Sequence, residues 1–331
     1  MSSYLDQLIP DKLSPAIRAR TVVTIGNFDG VHRGHQTIIA EVRERAAERG
    51  AVSLALTFEP HPVSVFRDQP QDTFRLTAAD EREQLLMYYG IEQVFTIPFS
   101  RQFAALTAEE FVHGLLIDRL GACEVHIGYD FAFGRGREGT TQRLQELCGE
   151  RGVDVHVRDA VEADGATISS TRVREALRAG ALGEVTALQG HHWFISGQQA
   201  HGHARGRQMG APTVNLYPEQ RLLPPHGVYV TRLMAPGRSW RSISNLGTRP
   251  TFADDPRVSL ETHVLEPFDG VPDGTPLRVL FLEHVRPERA FESPEALREQ
   301  IGRDVAVAAS VHERTVLTPT PGPDRTDEPG A

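Results

Sequence analysis

Residues 21–58 read TVVTIGNFDGVHRGHQTIIAEVRERAAERGAVSLALTF. Two apolar, β-branched runs, 21–25 and 51–58, enclose a glycine-bearing turn and a stretch in which Ile38, Ile39, Val42 and Ala46 recur at helical spacing before Gly50 supplies a stop. The unit reads as strand, turn, helix, strand. Apolar runs at 91–97, 122–128 and 153–157 continue the alternation. Between them lie TAADEREQLLMYYG (77–90) and TAEEFVHGLLIDRLG (107–121), each opening on a threonine cap and closing at Gly90 or Gly121. This order predicts an α/β fold, a doubly wound parallel sheet wrapped by helices.

After Gly190 the texture changes. Short β-rich runs at 193–196, 227–233, 240–245, 259–265 and 276–284 are divided by glycine and proline, which predicts a small antiparallel β-barrel. A terminal helix is marked by Ser293 as cap and Pro294 in the first turn, with Leu297, Ile301 and Val305 along one face. At 331 residues the chain exceeds the usual single-domain size. The expected division is a domain at 1–189, a second at 190–310, and a disordered tail at 311–331, where LTPTPGPDRTDEPGA (317–331) is too poor in apolar residues to pack.

Composition narrows the function classes. Hydrophobic residues at 40% and charged residues at 24% describe an ordinary globular protein, and no apolar run approaches the ~20 residues that cross a bilayer. The N-terminus lacks the basic region and apolar core of a secretory signal, and Cys123 and Cys148 make no disulfide framework. Both are expected as buried thiols in a cytoplasmic protein. A formal net charge of -9 speaks against a general affinity for nucleic-acid backbone. Anionic ligands must then be held by glycine-loop amides, helix N-termini and a few arginines.

GNFDGVHRGH (26–35) sits where such a fold binds ligands, at the carboxyl end of the first strand and the start of the first helix. Gly26 and Gly30 permit close approach of backbone to a nucleotide, with Asn27, Phe28 and Asp29 between them, and the helix N-terminus presents free amides to phosphate. His32 and His35, three apart, can reach one anionic centre and stabilise charge on an α-phosphate. A metal-binding pair is the competing reading; the absence of a nearby cysteine or third histidine in sequence disfavours it. GYDFAFGRGREG (128–139) places Asp130 after the fourth strand, where it can bond a base or ribose, while Phe131 and Phe133 suit core packing and ring contact equally. ISSTRVREAL (168–177) puts Ser170, Thr171 and Arg174 at a helix start, where hydroxyls can serve simply as caps.

The C-terminal half offers HGHARGRQMGAPTVNL (201–216). Gly206, Gly210 and Arg207 suit phosphate, and Thr213 and Asn215, two apart on a strand, share one face and can offer hard oxygen ligands to Mg²⁺, implying Mg-ATP. His191, His192, His201 and His203 fit no closed tetrahedral metal pattern.

GNFDGVHRGH, with TFEPHP (57–62) and the two runs above, resembles the HxGH nucleotidyltransferases in the form found in prokaryotic FAD synthetases. SNLGTRPTF (244–252) and LETHVLE (260–266) complete a pattern similar to riboflavin kinases. The resemblance spans roughly 20–308 and implies a bifunctional enzyme. Its N-terminal module would adenylylate FMN to FAD with ATP, Ser170, Thr171 and Arg174 binding phosphates. Its C-terminal module would phosphorylate riboflavin to FMN, with Glu261 as base. Ala211 and GHHWF (190–194) depart from the family pattern. A kinase retaining an idle N-terminal scaffold, or a flavin-binding regulator without turnover, would each leave some of these residues without a task.

Overall fold

The computed structural model describes residue 5 and residues 20–67, 70, 73–199, 213–218, 221–248 and 258–323. Packing divides the chain into two compact units, Met1–Thr73 with Ala79–Ser169, and Phe74–Ala78 with Ser170–Ala331.

The first unit is a five-stranded parallel sheet in the order β3-β2-β1-β4-β5, with β1 Thr21–Ile25, β2 Val52–Glu59, β3 Gln93–Pro98, β4 Ala122–Gly128 and β5 Asp154–Arg158. Every residue of β1 is buried, as a central strand covered on both faces requires. Helix α1 (Arg33–Arg49) buries Ile39, Val42 and Ala46 and ends on Gly50 in the left-handed conformation (φ 57°), so its amide can close the last turn. Short helix α2 spans Pro62–Arg67, α3 Ala79–Tyr88 and α4 Thr141–Gly149. The stretch Glu110–Ile117 winds as a π-helix, its start fixed by a reciprocal capping pair in which Thr107 N–H donates to Glu110 (2.8 Å) and Glu110 N–H to Thr107 Oγ1 (3.2 Å). A two-residue-per-strand hairpin, β6 Glu162–Ala163 and β7 Ala166–Thr167, is an addition that the sequence pattern does not announce. Chain order reverses between β1 and β4, so the crevice at their carboxyl ends is the ligand position of this topology.

The second unit opens with α5 (Ser170–Arg178) and α6 (Leu182–Gln189) and continues into a six-stranded antiparallel sheet. Its order is β8-β13-β10-β11-β12-β9, formed by β8 Phe194–Gln198, β9 Thr213–Leu216, β10 Gly227–Ala235, β11 Arg238–Thr248, β12 Val258–Val264 and β13 Pro276–Pro287. The sheet curls like a half-barrel: a Cβ at Gly197 of β8 would lie 3.6 Å from the Leu216 side chain of β9, the opposite edge strand.

Helix α7 (Pro294–Arg314) is capped by Ser293, whose hydroxyl accepts from Ala296 N–H. Its inner face overlaps the expected Leu297, Ile301 and Val305 only in part, with Leu297 and Val305 half-buried. Ile301 is exposed, and the buried positions are Asp304, Ala308 and Val311. Arg286 grips both Asp304 oxygens (2.8–3.2 Å), which neutralises a buried carboxylate, while Ala308 and Val311 cover Val228, Val230 and Ile243. The tail also differs from expectation. The helix carries through to Arg314, and beyond it Pro321, Gly322 and Pro323 are buried and polar bonds hold the segment: Thr318 N–H donates to His192 Nε2 (3.1 Å), Thr320 Oγ1 accepts from His192 N–H (3.3 Å), and Arg278 donates to the Pro321 carbonyl (2.5 Å).

Candidate active sites

At the end of β1 the chain turns through an unusual backbone. Phe28 (φ 48°), Gly30 (φ 81°) and Val31 (φ 36°) all lie in the left-handed region, which costs a non-glycine residue of order 1–3 kcal/mol and persists only where surroundings impose it. The turn delivers His32 to the N-cap of α1, where its carbonyl accepts from the amides of His35 (2.7 Å) and Gln36 (3.1 Å). The two imidazoles stack with centroids 3.7 Å apart and planes 18° from parallel, and Phe28 meets His35 edge-on at 5.2 Å. Gly34, which the sequence reading passed over, makes this possible, because a Cβ there would stand 3.2 Å from the His32 ring. Gly26 does the same for Phe28, whose ring lies 3.2 Å from where a Cβ would be.

Burial, with the adjacent His32 ring adding to it, holds the His35 imidazole well below its ordinary value. Two imidazolium ions at this separation would repel by about 4 kcal/mol at an effective dielectric near 20, so the pair can carry full charge only beside an anion. His35 Nδ1 is buried with no hydrogen-bond partner among the described residues, an orphan donor or acceptor of the kind that a ligand completes. Around the pair, Asp29 is 1% exposed, and the Asn27 carbonyl accepts from Thr57 Oγ1 (3.4 Å) and the buried Arg82 (3.5 Å).

Asp130 stands exposed beyond β4, across the switch point from the Gly26–Gly30 turn, with its carboxylate 3.3 Å from a Cβ built at Gly128. Phe131 and Phe133 resolve toward packing: they stack at 5.5 Å, and Phe133 belongs to the core against Phe111. Ser170, Thr171 and Arg174 head α5 in the second unit, with Thr171 exposed. Arg174 Nε donates to the Phe74 carbonyl at 2.7 Å, and its guanidinium lies 5.7 Å from the Phe74 ring centre.

The second constellation is set by strand register. β9 and β12 pair so that Asn215 faces Glu261 and Thr213 faces His263, and β12 pairs with β11 so that Glu261 faces Asn245. Directly opposed residues have Cβ atoms about 4.5–5.5 Å apart, so Asn215, Glu261 and Asn245 form a polar row on one face. The alternate positions Val214, Leu216, Leu260, Thr262, Ser244 and Leu246 are all buried on the other. Asn245 in turn donates to Glu288 (3.0 Å). Neither Asn245 nor Glu288 is singled out by sequence, because their part depends on pairing. Gly206, Arg207 and Gly210 lie outside the described residues, as does 249–252 of the SNLGTRPTF run.

Among the described residues Glu124, His126 and His156 are a cluster of three histidine and carboxylate groups close enough to share a metal ion, and it belongs to neither site. It is a charge network between α1 and the strands β4 and β5. Arg45 and Arg49 bind the Glu124 carboxylate, Arg49 also pairs with Asp154, and Arg158 binds Glu41, which faces His126 Nδ1 at 3.3 Å. Burial alone would raise the Glu124 carboxyl, but hydrogen bonds from Arg45 and His126 outweigh it and hold it at about 2. Arg45 also pairs with Glu48, so the network gives each of its guanidinium groups at least one carboxylate. Its effect is to fix α1, and with it the two histidines, on the sheet. Cys148 is buried, its thiol pushed up to about 12, whereas Cys123 is only half-buried, its thiol bonded to the Thr21 carbonyl (3.2 Å).

Two family models match the chain. The FAD synthetase family model matches residues 14–172 and the riboflavin kinase family model residues 189–312. The bifunctional riboflavin kinase/FMN adenylyltransferase of Pseudomonas fluorescens is 39% identical over 290 residues, covering 88% of this chain and 92% of its own. The chain belongs to that family. It phosphorylates riboflavin to FMN and adenylylates FMN to FAD. The Escherichia coli K12 enzyme of the same name is 37% identical over 299 residues, with 89% of this chain and 94% of its own covered. A crystal structure of a macrolide-efflux protein from Streptococcus pneumoniae superposes with a TM-score of 0.78 at 29% identity, over 90% of this chain and 96% of that one. Efflux does not carry over from that likeness, and among the described residues no helix is long and apolar enough to cross a membrane.

Proposed function

We propose that the two reactions divide between residues 1–189 and 190–310, with the roles set by the two constellations above. In the first, His32 and His35 hold charge on the ATP α-phosphate while the FMN phosphate attacks and pyrophosphate leaves, a reaction that asks the protein mainly for positioning and charge. The turn Gly26–Gly30 and Asp130 seat the nucleotide, and Ser170, Thr171 and Arg174 take phosphate oxygens. In the second, Glu261 accepts the proton of the ribityl hydroxyl as it attacks the γ-phosphate, and Gly206, Arg207 and Gly210 cradle the ATP. Small flavins and ATP are the partners, nucleic acid is not, and two free thiols suit a cytoplasmic site of action.

The observation that carries the kinase assignment is the β9–β12 register, which sets Asn215 directly against Glu261 with Thr213 on the same side. This donor set, an amide oxygen, a hydroxyl and a carboxylate, fits Mg²⁺, which prefers hard oxygen ligands and keeps substrate phosphates in its shell. When bound, the ion would neutralise charge building on the transferred phosphoryl group. Loss of even an outer partner of a metal commonly costs 10–100-fold in affinity, and loss of a ligand should cost about that or more. Asn215→Ala is therefore expected to raise the Mg²⁺ concentration needed for half-maximal riboflavin phosphorylation by about 10–100-fold, measured in EDTA-treated full-length protein titrated with Mg²⁺. The requirement of FMN adenylylation should stay where it was. An unchanged Mg²⁺ dependence of phosphorylation would remove Asn215 from the metal.

A further inference from the structure

Arg82 is among the largest fully buried side chains of the chain, 1% exposed, yet nothing in the reactions above uses it. It projects from α3, and its two Nη groups reach the two segments that end β1 and β2. Nη2 reaches the Phe58 carbonyl (3.2 Å) and the Glu59 carboxylate (3.1 Å), and Nη1 reaches the Asn27 carbonyl (3.5 Å). A buried arginine paired to a carboxylate is weak evidence of a contribution to stability, since an apolar side chain of similar volume often serves as well. Its partners are more telling. Asn27 precedes Phe28, whose left-handed backbone and ring placement hold the edge of His35, and His35 stacks on His32.

We infer that Arg82 is a positioning residue for adenylyl transfer: by fixing the Asn27 carbonyl it keeps Phe28 in its strained conformation and so sets the His32–His35 stack. The inference rests on the assignment of that pair to the reaction. With the tether gone, the turn can relax, the Phe28 ring leaves the His35 edge, and water reaches the imidazole. Misplacement of about 1 Å can cost of order 10²-fold in rate.

The test uses full-length protein carrying Arg82→Met, which keeps the apolar stem, and Arg82→Lys, which keeps a donor. FMN adenylylation and riboflavin phosphorylation are measured on each, with His35→Ala alongside and His35 titrated by NMR. Arg82→Met should lower kcat for adenylylation about 10–100-fold with KM for ATP little changed, leave phosphorylation within about twofold, and move the His35 pKa up toward its ordinary value; Arg82→Lys should recover part of each. A purely structural role would lower the folded fraction and both activities together and leave the His35 titration where it was. That result overturns the inference, as does an unchanged kcat. If Arg82→Met does not fold, Arg82→Lys decides by the same split at smaller size, and parent-like kcat and titration in it overturn the inference. Full adenylylation in His35→Ala would instead remove the pair itself from the reaction.

Discussion

Glu261→Gln should lower riboflavin phosphorylation by roughly 10²–10⁴-fold, the range expected when a general base is lost. The substitution keeps the size of the side chain and one oxygen acceptor, and Glu261 is half-buried on an edge-proximal strand opposite Asn215, so the fold has no reason to fail. Riboflavin should still bind, since the base acts on the hydroxyl proton in the transition state and not on the isoalloxazine ring. FMN supplied directly should still become FAD, because its phosphate is an ionised nucleophile that needs no base. Phosphorylation within a few-fold of the parent would exclude Glu261 as base; loss of both activities would show that the substitution damaged structure.

His35→Ala is expected to lower FAD formation by about 10²–10³-fold, the usual cost of removing one preorganised donor to developing charge. FMN formation should stay close to that of the parent. Burial and the neighbouring His32 ring hold the His35 pKa down, and in the proposed role an incoming triphosphate would supply the negative charge that allows the pair to protonate. The depressed pKa also fixes the sign of the pH effect in the free enzyme. The neutral imidazole is favoured in the folded state, so this group's contribution to stability is present above its ordinary pKa near 6.5 and is lost as pH falls toward the folded value. In His35→Ala that acid-side loss should shrink, read as a smaller drop in thermal midpoint on going below pH 6.5. Equal loss of FMN and FAD formation in this variant would indicate a folding defect.

The parallel sheet was legible because its central strands β1 and β2 are buried and read as β-branched and apolar runs, while the more exposed edge strands β3 and β5 were found from the alternation of strand and helix patterns. Much of what tunes the sites was not. Phe28 and Val31 adopt left-handed backbone that no propensity assigns to them, while the eye is drawn to the neighbouring glycines. Arg82 lies in ADEREQLLMY, where a charge reads as a solvated helix face, and only the tertiary packing of α3 against the ends of β1 and β2 buries it. Glu124 and His126 interrupt β4 with a polar face that becomes intelligible only when Arg45 and Arg49 arrive from α1. Similarly, Glu261 can be found from its motif, but its partner Asn245 follows from register, which local sequence does not specify. Asp304 on the inner face of α7 was missed for the same reason: it looks like a surface residue until Arg286 is known to meet it.

In the proposed division one chain carries two chemistries in separate constellations, joined only by the FMN that one releases and the other consumes. The most direct measurement mixes the two variants. Glu261→Gln alone, given riboflavin, ATP and Mg²⁺, should make neither FMN nor FAD at an appreciable rate, and His35→Ala alone should accumulate FMN. Combined in equal amounts they should convert riboflavin to FAD, the FMN made by one protein being adenylylated by the other. A mixture that stops at FMN, or makes nothing, would contradict the division of the two reactions between these two sets of residues.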